Sequence, residues 1–106
     1  MKRTSVTYEA GLKKDLANPE EAAAYLNAAL EDGSQEVFLM ALRDVAEARG
    51  ITKVARESLL NRENVYRIFS ERGNPRLSSL KALLDSLGLK LAIEVNDLLP
   101  FLFQQR

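Results

Sequence analysis

Between residues 19 and 87, apolar positions recur every three or four residues, and the breaks fall where helix ends are expected. Asn18-Pro19 opens the first helix. The Asn side chain can accept from first-turn amides, Pro19 needs no N–H there, and Glu21 completes a capping box. Ala23, Tyr25, Leu26, Ala29 and Leu30 supply its apolar face, and Asp32-Gly33 ends it. Ser34 caps a second helix, with Glu36 near the positive end. Val37, Phe38, Met40, Ala41, Leu42, Val45 and Ala48 give that helix a broad core-facing stripe. Arg49 and Gly50 close it, by charge and by a left-handed cap. Three shorter helices follow. The first runs from Ile51 to about Ser58 around Val54 and Ala55, and the second from Asn61 to about Glu71 around Val65, Ile68 and Phe69. After Gly73-Asn74-Pro75, the third runs from Leu77 to Leu87, its leucines directed to the core, and stops at Gly88.

Beyond Gly88 the period changes from 3.6 to 2. Leu89, Leu91, Ile93 and Val95 alternate with Lys90, Ala92 and Glu94, which predicts one strand. A lone strand cannot satisfy its own amides and carbonyls, so the same strand of a second copy is its expected partner and a homodimer the expected state. The predicted fold is therefore all-α: a five-helix bundle with a single C-terminal β-strand pairing in a dimer. Residues 1–17 form an N-terminal arm, in which Tyr8, Leu12 and Leu16 allow one or two helical turns, and residues 18–95 form the domain proper. Residues 96–106 are an apolar tail that either folds back on the core or covers a partner's surface.

At 106 residues the chain suits one domain with one core. With neither Cys nor His it has no disulfide framework, and thiolate or imidazole catalysis and zinc ligation through those residues are excluded. No paired carboxylates, glycine-rich phosphate loop or activated nucleophile suggests an enzyme, and no cofactor or small-molecule substrate is expected. Polar residues follow Met1-Lys2-Arg3, and no apolar run approaches the ~18 residues of a membrane span, so a cytoplasmic protein is expected. The net charge is zero but unevenly spread. Residues 1–50 carry six bases against nine acids, whereas Lys53 to Lys81 carries seven bases against three. A basic second half fits a polyanion, and an acidic first half fits a different partner.

The basic segment contains "VARESLLNRENVYRIF", residues 54–69. A helix-turn-helix needs a small residue where its helices cross, a cap opening the second helix, and apolar anchors four and seven residues beyond that cap. Ala55, Asn61, Val65 and Ile68 meet these requirements. The opposite face then offers Arg62, Glu63, Asn64 and Arg67 to the base edges of a major groove. Tyr66 suits phosphate or sugar, and Lys53, Arg56, Asn61, Arg72, Asn74 and Arg76 flank the helix where backbone contacts arise. The same residues have plainer readings: Asn61 as a cap only, and Glu63 with Arg67 as a solvated ion pair.

Two longer runs, "NPEEAAAYLNAALEDGSQEVFLMALRDVAEARG" and "ERGNPRLSSLKALLDSLGLKLAIEV", resemble the probable addiction-module antidote family of HigA/XRE-like antitoxins, from Leu16 to Val95. The resemblance implies a lambda-repressor-like helix-turn-helix and a prokaryotic antitoxin. Such a protein would bind double-stranded operator DNA at an inverted repeat as a dimer, and would neutralise a RelE/HigB-like toxin encoded beside it. The acidic first half, with Tyr8, Leu12 and Tyr25 as apolar anchors, is then the expected toxin-facing surface. The alternatives are a free-standing XRE-like or prophage regulator without a toxin, and an adaptor that no longer binds DNA. The chain departs from the family pattern at the turn, "ESLLNRE" in place of "ETGLSRE", with Leu59 for Gly and Asn61 for Ser. The tail from Asn96 onward is a second departure.

Overall fold

The computed structural model describes residues 11, 12, 14–70 and 74–96. Within them lie α1 (Pro19–Asp32), α2 (Gln35–Arg49), α3 (Ile51–Ser58), α4 (Arg62–Ser70) and α5 (Leu77–Ser86). The described residues between 11 and 16 are also helical, and Leu16 belongs to the core. Helix α2 packs against α1, α3 and α4, and α3 also packs against α4 and α5. Leu42 and Val45 of α2, Val54 of α3, Val65 of α4 and Leu83 of α5 are the most deeply buried large side chains, joined by Leu87 just beyond α5.

The helix ends follow from local chemistry. Asn18 accepts from the amides of Glu20 and Glu21 at 2.8 and 3.3 Å. The reciprocal half of the expected capping box is replaced, because the Asn18 amide already donates to the Asp15 carbonyl at 3.0 Å. Gly33, at φ 85°, closes α1 in the left-handed conformation. Gly50 also has positive φ, at 105°, but its ψ of 114° is extended rather than left-handed. It thereby ends α2, through its amide on the Ala46 carbonyl, and starts α3, through its carbonyl accepting from Val54. At the end of α5 the Leu89 amide reaches back to the Leu84 carbonyl and the Gly88 amide to that of Asp85, a Schellman closure that seats Leu89 against the core.

The buried faces differ in detail from the periodic reading. In α1 the core takes Ala22, Leu26 and Ala29, leaving Leu30 exposed. In α2 it takes Leu39, Ala41, Leu42, Val45 and Ala46, while Met40 stays 67% exposed. Where apolar residues wrap half a helix, spacing alone does not select the arc that is covered; the neighbouring helices do.

The expected C-terminal strand is corrected. Residues 89–96 carry no regular element, Ile93 and Val95 are 100% and 83% exposed, and no strand occurs among the described residues. Alternation prepares a backbone for a ladder but supplies no second backbone, and without one no ladder hydrogen bonds form.

Between α3 and α4 the chain turns at Leu59, which is the one non-glycine residue with positive φ among the described residues and stands 92% exposed. Its φ of 63° and ψ of 19° are left-handed, the geometry a glycine turn would have had. The turn is therefore kept, with strain of roughly 1 kcal/mol rather than a new shape. Buried Ser58 helps hold it, its hydroxyl donating to the Ala55 carbonyl at 3.3 Å and accepting from the Leu60 amide at 3.4 Å.

Two stability changes follow. Leu59→Gly relieves the strain, loses almost no buried surface and gains some unfolded-state entropy, so a net stabilisation of about 0.5 kcal/mol is expected. Asn18→Ala removes the α1 cap and should cost about 1 kcal/mol. Urea denaturation of the full chain followed by circular dichroism measures both; a lower midpoint for Leu59→Gly would contradict the strain.

Candidate functional site

Two short helices and one turn build the candidate site. Asn61 caps α4, accepting from the Asn64 amide at 2.7 Å while its carbonyl accepts from Val65 at 3.1 Å. Val65 and Ile68 are buried and fix one face of α4 against α2 and α3. With that face committed, helical geometry turns Arg62, Glu63, Tyr66 and Arg67 outward, and all four are exposed. Asn64 is half-buried. Glu63 and Arg67 are not paired: the ion pair present among the described residues is Arg43 with Glu47, at 3.1 Å. Both side chains on α4 are therefore available to an external group.

Lys53 and Arg56 are exposed on α3, and Asn74 and Arg76 are exposed just ahead of α5. Arg72 lies outside the described residues. A cleft of roughly 400 Å³ runs between α4 and the start of α5, lined by Asn64, Arg67, Asn74, Pro75, Arg76 and Ser79 among others. The structure thus brings together expected base-reading residues, Asn64 and Arg67, and expected backbone-contacting residues, Asn74 and Arg76. Arg62, Glu63 and Tyr66 stand on the same short helix outside the cleft lining.

Sequence reasoning did not single out Ser79 or Pro75. The start of α5 carried a signal nonetheless: Arg76 stands at its N-cap, and a guanidinium has no acceptor to offer the first-turn amides. Those amides point along the positive end of the helix dipole, beside two guanidinium groups, a combination suited to an anionic oxygen. Chemically the surface offers planar donors, amide groups and one carboxylate, with no group arranged to activate a nucleophile.

The residues assigned to a second partner lie elsewhere. Tyr25 of α1 is half-buried, its hydroxyl donating to the Asp44 carboxylate of α2 at 2.7 Å. Leu12 is half-buried against the core, and Tyr8 lies outside the described residues. Leu89 packs partly on the core, whereas Leu91, Ile93 and Val95 are exposed. No described helix is long and apolar enough to cross a membrane.

No solved structure matches the chain. An uncharacterised protein of Haemophilus influenzae (strain ATCC 51907 / DSM 11121 / KW20 / Rd) is 33% identical over 79 residues, which cover 74% of this chain and 81% of that protein. The family model described as "Probable addiction module antidote protein" matches residues 7–95, a span that includes every described helix. The chain belongs to the addiction-module antidote family.

Proposed function

We propose that this protein is a DNA-binding antitoxin of the HigA/XRE-like kind, acting in the cytoplasm of a prokaryote as a stoichiometric inhibitor and autorepressor. The observation that carries the DNA half is the outward face of α4. Arg62, Glu63 and Arg67 are exposed and unpaired on a helix locked from behind by Val65 and Ile68, with Asn64 at its edge. Arg forks onto guanine and Asn pairs doubly with adenine, so these groups read base edges, while Lys53, Arg56, Asn61, Tyr66, Arg72, Asn74 and Arg76 hold phosphates. Residues 18–95 are the DNA-binding unit, preceded by the arm and followed by the tail.

Membership of an antidote family supports the toxin half, since an antidote requires a toxin. The proposed toxin is RelE/HigB-like and encoded beside this chain, with Tyr8, Leu12 and Tyr25 as the proposed apolar anchors that meet it. Operator binding uses a homodimer, which places two α4 helices in successive major grooves ~34 Å apart on an inverted repeat. The apolar side chains of Leu89, Leu91, Ile93 and Val95, three of them exposed, are the proposed self-contact.

A mobility-shift titration against the DNA upstream of the protein's own gene tests this. Arg62→Ala, Asn64→Ala and Arg67→Ala should each weaken specific binding by ~1–3 kcal/mol. Lys53→Ala should weaken binding to all sequences alike and make the log–log salt slope shallower by about 0.9. Equal binding by wild type and the three α4 variants would remove α4 from the interface.

A further inference from the structure

The periodic reading assigned Val37 and Met40 to the core, yet both are exposed, Met40 at 67%. They stand on one wall of a groove between α1 and α2, whose volume is roughly 340 Å³. Tyr25, Ala28 and Ala29 form the opposite wall, Ala41 lies with Met40, and Asp32 and Asp44 close the ends. The small alanine side chains keep the groove open, and Tyr25, its hydroxyl held on Asp44 at 2.7 Å, borders it. An apolar trough that admits a side chain or two, bordered by carboxylates, is what a docked protein segment requires.

The charge around it states the chemistry of the occupant. From Pro19 to Arg49 the chain carries seven carboxylates against two arginines, and one of those, Arg43, is engaged by Glu47. On α2, Glu36, Met40, Asp44 and Glu47 follow one another at four- and three-residue steps, so acids flank the exposed methionine along a single face. Nucleic acid is repelled by such a surface. The chain's own tail, residues 97–106, carries one acid and one base and gains nothing from the carboxylates. A basic protein with an apolar side chain to insert gains from both features.

We infer that the α1–α2 groove is the docking site for the toxin, receiving an apolar side chain of a basic segment against Met40, Val37 and Tyr25. This inference rests on the antitoxin reading above and adds to it the surface used. It also separates the functions in space, because the groove lies on α1 and α2 and the DNA-facing groups on α3, α4 and the start of α5.

The sequence supplies its own probe, since Met40 is one of two methionines. Full-length protein with ¹³C-methyl methionine is titrated with the purified product of the adjacent gene, and separately with upstream DNA. The Met40 methyl resonance should shift or broaden with the protein partner and stay unmoved with DNA. By calorimetry, Met40→Lys should weaken that association on the order of thirtyfold or more, Met40→Leu should bind like wild type, and operator binding should be unchanged in both. Asp44→Asn keeps an acceptor for Tyr25 and should slow association and flatten its salt dependence.

A partner that binds while the Met40 methyl stays silent and Met40→Lys binds equally would overturn the groove and leave the antitoxin reading standing. No binding of the adjacent gene's product at all would overturn both. A Met40 resonance that depends on the chain's own concentration, or is shielded from a paramagnetic solvent probe in the isolated chain, would assign the groove to a second copy or to the tail and overturn the proposal.

Discussion

The burial of one face of α2 organises this protein, since α2 touches α1, α3 and α4 at once. Leu42 and Ala46 have no accessible surface and Val45 almost none, so this face contributes some of the most thoroughly dehydrated side chains in the molecule. Removing a buried leucine, valine or isoleucine from water is worth about 1.5–3 kcal/mol, more than a typical cap at about 1 kcal/mol or a surface ion pair. The short helices α3 and α4, eight and nine residues long, are below the length at which isolated helices persist in water. Their helicity depends on Val54 and Val65 being held in this core, and so does the presentation of every group on the outward side of α4.

That dependence gives a simple mechanical logic. Because Val65 and Ile68 are committed inward, the rotation of α4 about its axis is determined, and Arg62, Glu63 and Arg67 point outward as a consequence. The Leu59 turn determines the angle between α3 and α4. Its left-handed backbone preserves a glycine-like geometry with a residue that dislikes it, the local cost being outweighed by the packing of the helices on both sides. The oddity of the turn sequence is thus a matter of energy rather than of shape.

Much of this was legible beforehand. Asn18, Ser34 and Asn61 cap helices because short polar side chains can reach amides two or three residues ahead, a rule that needs no tertiary information. The anchors Val65 and Ile68 and the exposed residues between them followed from the 3.6-residue period. Less legible were Met40 and Val37, whose apolar character reads as core, and Asn64, whose half-burial reflects the neighbouring cleft. The strand at 89–95 failed for a different reason: alternation is a property of one segment, while a ladder is a property of two.

By itself, the sequence determined where helices start and stop, which residues of α3 and α4 face inward, and which way charge is divided along the chain. Those properties depend on interactions within a few residues, which local order encodes directly. The tertiary structure decided which part of each broad apolar stripe is covered, that Asn64 and Arg67 share a cleft with Asn74 and Arg76, and that α1 and α2 leave a groove between them. Each of these depends on which helices become neighbours, and that is set by the summed packing of the whole core rather than by any single stretch of chain.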